Sequence, residues 1–340
     1  MVTMDQDTIA VGVVGAGRIG QIHAQNLSSM PGVKLQAIVD TNLDAAGVLA
    51  KQCKVSHTSS DYREILEDES VKAVVVCTPT DTHADIIVEA TNQGKDVFCE
   101  KPVDVSLAQI DKALSAVKKS GTTLQIGFHR RFDPHFARVR EMVLEGKVGE
   151  VVLVRTTSRD PAPPSADYLR SSGGLFLDMA IHDYDLCRFF TGKEVSEVYA
   201  VGVNKVSMVT KEVGDVDTAV ITLRFEDDSL ATIDLCRATN YGYDQRVEVF
   251  GTKGVARVDN TRPTNVELGN ELGFSLPNPY YFFPERYASC FRSEMNSFLE
   301  ALRFGTEPAV TGVDGRKAFL IGEAATRSFK LKKPISISYT

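Results

Sequence analysis

The stretch Ile9-Ala10-Val11-Gly12-Val13-Val14-Gly15-Ala16-Gly17-Arg18-Ile19-Gly20 runs from a short apolar strand through a glycine turn into the start of a helix. Ile9–Val14 carries no polar side chain, as expected of a strand covered on both faces of a parallel sheet. A Gly-x-Gly-x-x-Gly hexad alone is weak evidence, but its surroundings here are complete. A helical pattern follows at Ile19–Ser29, a second strand at Lys34–Val39, and Asp40 closes that strand twenty residues beyond Gly20. Together these make a dinucleotide-binding fingerprint. Gly15 serves the turn, Gly17 lets a pyrophosphate reach the backbone, and Gly20 lets helix and strand pack closely. The free N–H groups at the helix start, at Arg18 and Ile19, are then the phosphate holders.

Asp40 also selects the cofactor. Its carboxylate can accept hydrogen bonds from ribose hydroxyls. It would repel a 2′-phosphate by about 4 kcal/mol per charge pair at close contact, for an effective dielectric of about 20. Thr41 and Asn42 follow, with no adjacent Arg to reverse the preference. NAD is therefore the expected cofactor, in preference to NADP.

Short apolar runs and longer amphipathic ones keep alternating to residue 128. Leu43–Gln52, Ala84–Asn92 and Ser106–Lys119 read as helices, and Ala73–Cys77, Val97–Cys99 and Thr123–Phe128 as strands. Ser106 with Gln109 fits a capping box. The series predicts an α/β fold, a Rossmann doubly wound parallel sheet, over residues 1–128. Ligands of such sheets bind beyond the carboxyl ends of the strands. Two loops should therefore border the cofactor, one with Thr78, Thr80 and His83, the other with Glu100 and Lys101. Lys101 would leave its strand towards the nicotinamide.

After Phe128 the pattern changes. Arg130-Arg131-Phe132-Asp133-Pro134 introduces a helix to about Gly146, and Val151–Thr157 reads as a strand. Alternation in Asp217–Phe225 and Leu230–Cys236, and again in Gln245–Phe250 and Val255–Val258 around Gly251-Thr252-Lys253-Gly254, predicts hairpins. Helices over Pro284–Phe304 and Gly315–Leu331 and a strand at Ile335–Tyr339 complete a C-terminal α+β domain, residues 129–340, with a large, mostly antiparallel sheet. There is no repeat and no long linker, so the halves are expected to pack with the active site between them.

Within this half, Gly173-Gly174-Leu175-Phe176-Leu177-Asp178-Met179-Ala180-Ile181-His182-Asp183-Tyr184-Asp185 carries the chemistry. Asp178 and His182 are four apart, so on a helix they share one face. A carboxylate beside an imidazole fixes one ring nitrogen and raises the basicity of the other. The bland alternative is a surface helix with solvated charges. It gives way because the other half supplies a hydride carrier and a lysine.

Composition narrows the class. The 340 residues are 43% apolar and 24% charged with net charge −7, and no stretch gathers Lys and Arg with aromatics, which disfavours a nucleic-acid surface. Neither an export signal nor a membrane-length apolar run is visible, so the cytoplasm is the expected compartment. Six scattered cysteines without a Cys-x-x-Cys pair read as reduced core residues, and the His spacing suggests no metal site.

The fingerprint at Gly15–Gly20, the Thr78-Pro79-Thr80 turn, Glu100-Lys101-Pro102 and the Gly-Gly-x-x-x-Asp-x-x-x-His segment resemble, in order and spacing, the glucose–fructose oxidoreductase / inositol dehydrogenase / rhizopine-catabolism (Gfo/Idh/MocA) superfamily. The likeness spans nearly the whole chain, and residues 127–133 and 241–246 look most like myo-inositol 2-dehydrogenases. It implies a catalytic trio of Lys101, Asp178 and His182, with Arg131, Asp160, Asp185 and Tyr241 joining them around a polyol. It also implies a cis Lys101-Pro102 bond and a homotetramer formed through the sheet face. The implied reaction is oxidation of a ring CH–OH, myo-inositol to 2-keto-myo-inositol (scyllo-inosose). Alternatives are an enzyme acting on scyllo-inositol, an aldose or an anhydro-sugar, an NAD-using glycosidase, and a nucleotide-sensing regulator without catalysis. The complete trio speaks against the regulator.

Overall fold

Six parallel strands open the chain: β1 (Ile9–Val14), β2 (Val33–Val39), β3 (His57–Ser59), β4 (Ala73–Val76), β5 (Asp96–Glu100) and β6 (Leu124–Gly127). They lie in the order β3-β2-β1-β4-β5-β6. In this computed structural model residues 8–339 are described. The order reverses direction between β1 and β4, which leaves a crevice at their carboxyl ends. Val11, Val13, Val75 and Phe98 of the sheet pack with Ala24 and Leu27 of the helix Arg18–Ser28. β3 is absent from the sequence reading because three residues with one buried side chain leave no pattern to detect.

This first unit comprises residues up to His129 together with Ser289–Lys317. The returning segment is integral to it. Met295, Phe298 and Leu299 of the helix Ala288–Phe304 join the same apolar core. Val310 accepts a hydrogen bond from the Ile126 N–H at 3.1 Å. The expected helix over 284–304 is in fact two, Phe283–Arg286 and Ala288–Phe304, interrupted at Tyr287. The capping box at Ser106 is also corrected: its side chain makes no cap bond, and its N–H instead donates to Asp104 Oδ1 at 2.9 Å.

The second unit comprises Arg130–Ala288 and the residues from Ala318 onward. Its sheet contains β7 (Val151–Arg159), β8 (Val195–Val203), β9 (Thr218–Phe225), β10 (Leu230–Cys236), β11 (Asp244–Gly251) and β12 (Gly254–Val258). A small separate hairpin, β13 (Leu268–Asn270) and β14 (Gly273–Ser275), precedes the last strand, β15 (Ile335–Ser336). The large sheet runs β12-β11-β7-β10-β9-β8-β15 and is antiparallel except where β10 joins β7. Alternation sets its faces: Ala219, Ile221, Leu223 and Phe225 are buried, while Val220, Thr222 and Arg224 point out. β8 escaped the sequence reading because its outward residues Tyr199, Val201 and Val203 are apolar as well, which blurs the alternation.

Asp133 caps the helix Pro134–Leu144, accepting from the His135 and Phe136 N–H groups. Its other oxygen takes the Arg286 guanidinium at 2.5 Å.

Candidate active site

In the first unit the β1 turn is held by backbone contact. Gly15 sits at φ 104°, and a Cβ there would meet the Cys77 carbonyl oxygen at 2.6 Å. A Cβ on Gly20 would lie 1.9 Å from the Gly15 oxygen. A Cβ on Gly17, by contrast, would meet nothing within 4 Å. Packing alone therefore dictates two of the three glycines, and the third borders open space at a helix start that has neither a capping side chain nor an acidic residue in its first turn. Such a start suits an anion, so the residues fit a dinucleotide pyrophosphate at Arg18 and Ile19. Asp40 faces the same turn, accepting from the Ala16 N–H at 2.7 Å and the Asn42 N–H at 2.8 Å.

The loops after β4 and β5 are tied together by His83. Its Nδ1 meets the Pro102 carbonyl and its Nε2 the Thr78 carbonyl, each at 2.8 Å. Burial pushes its pKa down against the pull of those carbonyls. With 1% of its surface exposed, His83 fastens the loops from beneath. Thr80 begins a single 3-10 turn, Thr78 Oγ1 shares a hydrogen bond with Thr82, and the Lys101-Pro102 bond is cis. Glu100 is buried too: its Oε1 meets His23 Nε2 at 2.8 Å, and its Oε2 accepts the Lys101 N–H at 3.3 Å. His83 and Glu100 hold Lys101 and the loops in place from the core side.

In the second unit the Asp178–His182 segment is helical, though not one α-helix. Leu175–Met179 forms a π-helical turn, and an α-helix begins only at Ile181 and runs to Thr191. Asp178 thus sits on the wider turn and His182 in the first turn of the helix proper. The solvated-charge alternative fails, because Asp178, His182, Asp183 and Asp185 are all buried. Asp183 accepts from Ser158 at 2.8 Å and pairs with Arg130 at 3.4 Å. Burial raises its pKa, opposed by Arg130.

Two partners of Asp178 were not foreseen. The Tyr168 hydroxyl donates to its Oδ1 at 2.8 Å, and the Arg237 Nη1 lies 3.5 Å from its Oδ2. Burial and then the Asp178 charge hold the Tyr168 phenol well above its ordinary pKa, so it stays a donor. Arg237 did leave a sequence signal. Ile233 and Leu235 point inward from β10, and Arg237 continues the same register as a buried cation.

The expected polyol ligands divide. Arg131 and Asp185 are brought together as a two-pronged ion pair, Nε to Oδ2 at 2.8 Å and Nη2 to Oδ1 at 2.6 Å. Tyr241 is half-exposed, donates to Asp244 at 2.6 Å, accepts from Arg159 at 3.2 Å, and lines a cavity of about 370 Å³ with Arg246 and Arg262. Asp160 is half-buried after β7, its N–H on the Cys236 carbonyl at 2.9 Å. All six cysteines are free thiols. Among the described residues no helix is long and apolar enough to cross a membrane.

Comparison with known proteins supplies the context for these groups. Residues 9–128 match an oxidoreductase family with an NAD-binding Rossmann fold, and residues 136–257 match the GFO/IDH/MocA C-terminal domain. The chain is 47% identical over 98% of its length to the uncharacterized oxidoreductase YrbE of Bacillus subtilis, covering 97% of that protein. It is 43% identical to myo-inositol 2-dehydrogenase of Thermotoga maritima, over 96% of this chain and 98% of the relative. Among solved structures, scyllo-inositol dehydrogenase from Lactobacillus casei with bound NAD(H) and scyllo-inositol matches at 32% identity. Its TM-score is 0.91, covering 97% of this chain and 99% of that one.

Proposed function

This chain belongs to the GFO/IDH/MocA family of NAD-binding oxidoreductases, and from that premise we propose that it oxidises a ring hydroxyl of a cyclic polyol, myo-inositol to 2-keto-myo-inositol. NAD, when bound, supplies the hydride acceptor. The Gly15–Gly20 turn and Asp40 would hold its pyrophosphate and ribose, with Thr78 and Thr80 beside them. Lys101 hydrogen-bonds the reacting oxygen and favours its alkoxide character. His182 removes the hydroxyl proton, and Asp178 orients the imidazole and stabilises it once protonated. Asp160 and Tyr241 are proposed as further polyol contacts. Arg131 and Asp185 hold one another through two hydrogen bonds, and we read them as scaffold for that pocket.

One observation carries the acid–base reading: a carboxylate and an imidazole, Asp178 and His182, are both buried on either side of a π-to-α junction, a helix irregularity frequent at functional sites. Scyllo-inositol is the second candidate substrate, favoured by the solved relative that holds it. We place the reaction in the cytoplasm, where six free thiols would persist. The assembly is proposed as a homotetramer through the outward face of the large sheet, where Tyr199, Val201, Val203 and Val220 are exposed.

The test is NADH absorbance with myo-inositol, scyllo-inositol, glucose and xylose in turn, for the wild type and His182→Ala. Turnover with an inositol, lowered about 10²-fold or more in the variant while NAD still binds, is expected. Near-normal turnover of the variant would remove His182 from the mechanism. Activity confined to glucose or xylose would move the substrate class.

A further inference from the structure

The π-helical turn Leu175–Met179 begins where the chain has no ordinary cap. Its N-cap position is Gly174, and the Leu175 N–H is caught instead by the Asp215 carboxylate, at 3.0 and 3.2 Å. Asp215 belongs to the loop before β9. A Cβ on Gly174, which sits at φ 79°, would come within 2.9 Å of its oxygen. Arg237, 1% exposed at the end of β10, lies between the two acids. Its Nη1 is 3.5 Å from Asp178 Oδ2 and its Nη2 3.8 Å from Asp215 Oδ2. Its Nε and Nη2 make no hydrogen bond among the described residues. A guanidinium so deeply buried and so sparsely hydrogen-bonded is retained only where neighbouring charges compensate its lost hydration.

We propose that Arg237 is a positioning residue for the oxidation: by bridging Asp215 and Asp178 it clamps the π turn from both ends and keeps the Asp178 carboxylate fixed and ionised for His182. The proposal rests on the catalytic reading of Asp178 and His182. Tyr168 on the helix Ala166–Ser171 and Arg237 touch the carboxylate; Tyr168 in turn feels the charge of Asp160 after β7, Arg237 that of Asp215 before β9, and the proposed mechanism adds His182 and Lys101 to the set. Arg237 places a guanidinium charge 3.5 Å from that carboxylate. Without it Asp178 takes up a proton at higher pH, and a nearby imidazole keeps its proton to higher pH. Both effects displace the acid limb of kcat/KM upward.

The experiment is the pH profile of kcat/KM with myo-inositol and NAD for Arg237→Gln, Arg237→Lys and Asp215→Asn. Arg237→Gln should lower kcat roughly ten- to a hundred-fold through misplaced geometry, leave KM for NAD unchanged and move the acid limb upward. Arg237→Lys should return the limb towards its wild-type position. A Gln variant with an unmoved limb, or a Lys variant displaced as far as Gln, overturns the proposal. Should the Gln variant fail to fold, Asp215→Asn decides. It keeps an oxygen for the Leu175 N–H and leaves the cation to Asp178 alone, so the limb stays or moves down, and an upward move is fatal. Asp178→Asn separates the two readings: near-normal turnover in that variant removes the catalytic assignment, whereas its collapse alongside an unmoved Arg237→Gln limb removes only the clamp.

Discussion

A single methyl group distinguishes the glycines of the first turn. Gly20 has the Gly15 oxygen 1.9 Å from where its Cβ would stand, so Gly20→Ala must displace backbone and should cost about 1–3 kcal/mol in chemical denaturation. Gly17 borders open space, and Gly17→Ala should leave stability within about 0.5 kcal/mol of wild type. The same methyl occupies the surface assigned to the pyrophosphate, so KM for NAD should rise several-fold. If Gly17→Ala binds NAD normally by fluorescence titration, that surface is not where the phosphates lie. The residues legible at this scale were those with fixed spacing: the three glycines, Asp40, Lys101, and the Asp178–His182 pair. Tyr168 and Asp215 were not, because each works through a residue outside its own local pattern, and Arg237 shows in the sequence only as a charge continuing the inward register of β10. His83 and Glu100 were recognised as belonging to the region, but sequence alone gave no hint that their polar atoms face the core.

Among the elements, the helix Ala288–Phe304 carries an electrostatic burden. Its Glu294 is fully buried, and neither carboxylate oxygen finds a hydrogen-bond partner among the described residues; Oε1 lies 4.0 Å from His23 Nε2, which is already bonded to Glu100. Burial, and then the Glu100 charge, raise its pKa well above the ordinary 4.5. A carboxyl group that binds its proton more tightly in the native state contributes stability that is complete below 4.5 and is lost as pH climbs through the raised value. The melting temperature of the wild type should therefore fall relative to that of Glu294→Gln as pH rises from acidic to alkaline. Equal slopes for both proteins in calorimetry would show that Glu294 ionises freely. Strand and helix types were readable where one face was apolar, as in β9 and the helix Arg18–Ser28. They failed where both faces were apolar, as in β8, and where a helix changed pitch, since a π turn differs from an α turn by one residue of hydrogen-bond reach.

For the molecule as a whole, the outward face of the large sheet presents paired apolar side chains to solvent. Val201 and Val220 are directly paired across β8 and β9 and remain 46% and 47% exposed. If four copies meet there, Val201→Glu should yield a smaller species in light scattering while keeping its circular dichroism; an unchanged mass would place the contact elsewhere. The two-part fold class was readable because strands covered on both faces, as in β1, give unbroken apolar runs separated by helices, whereas half-covered strands, as in β9, alternate and return through hairpins. The re-entry of residues 289–317 into the first unit was not, because Met295, Phe298 and Leu299 form an ordinary apolar stripe that names no destination. That re-entry bears on biosynthesis. The sheet that begins at residue 9 lacks part of its own core until Leu299 has been made, and Ile126 lacks its bond to Val310 until later still. On the ribosome the cofactor-binding part starts first, yet it must wait for most of the message to be translated before it can close.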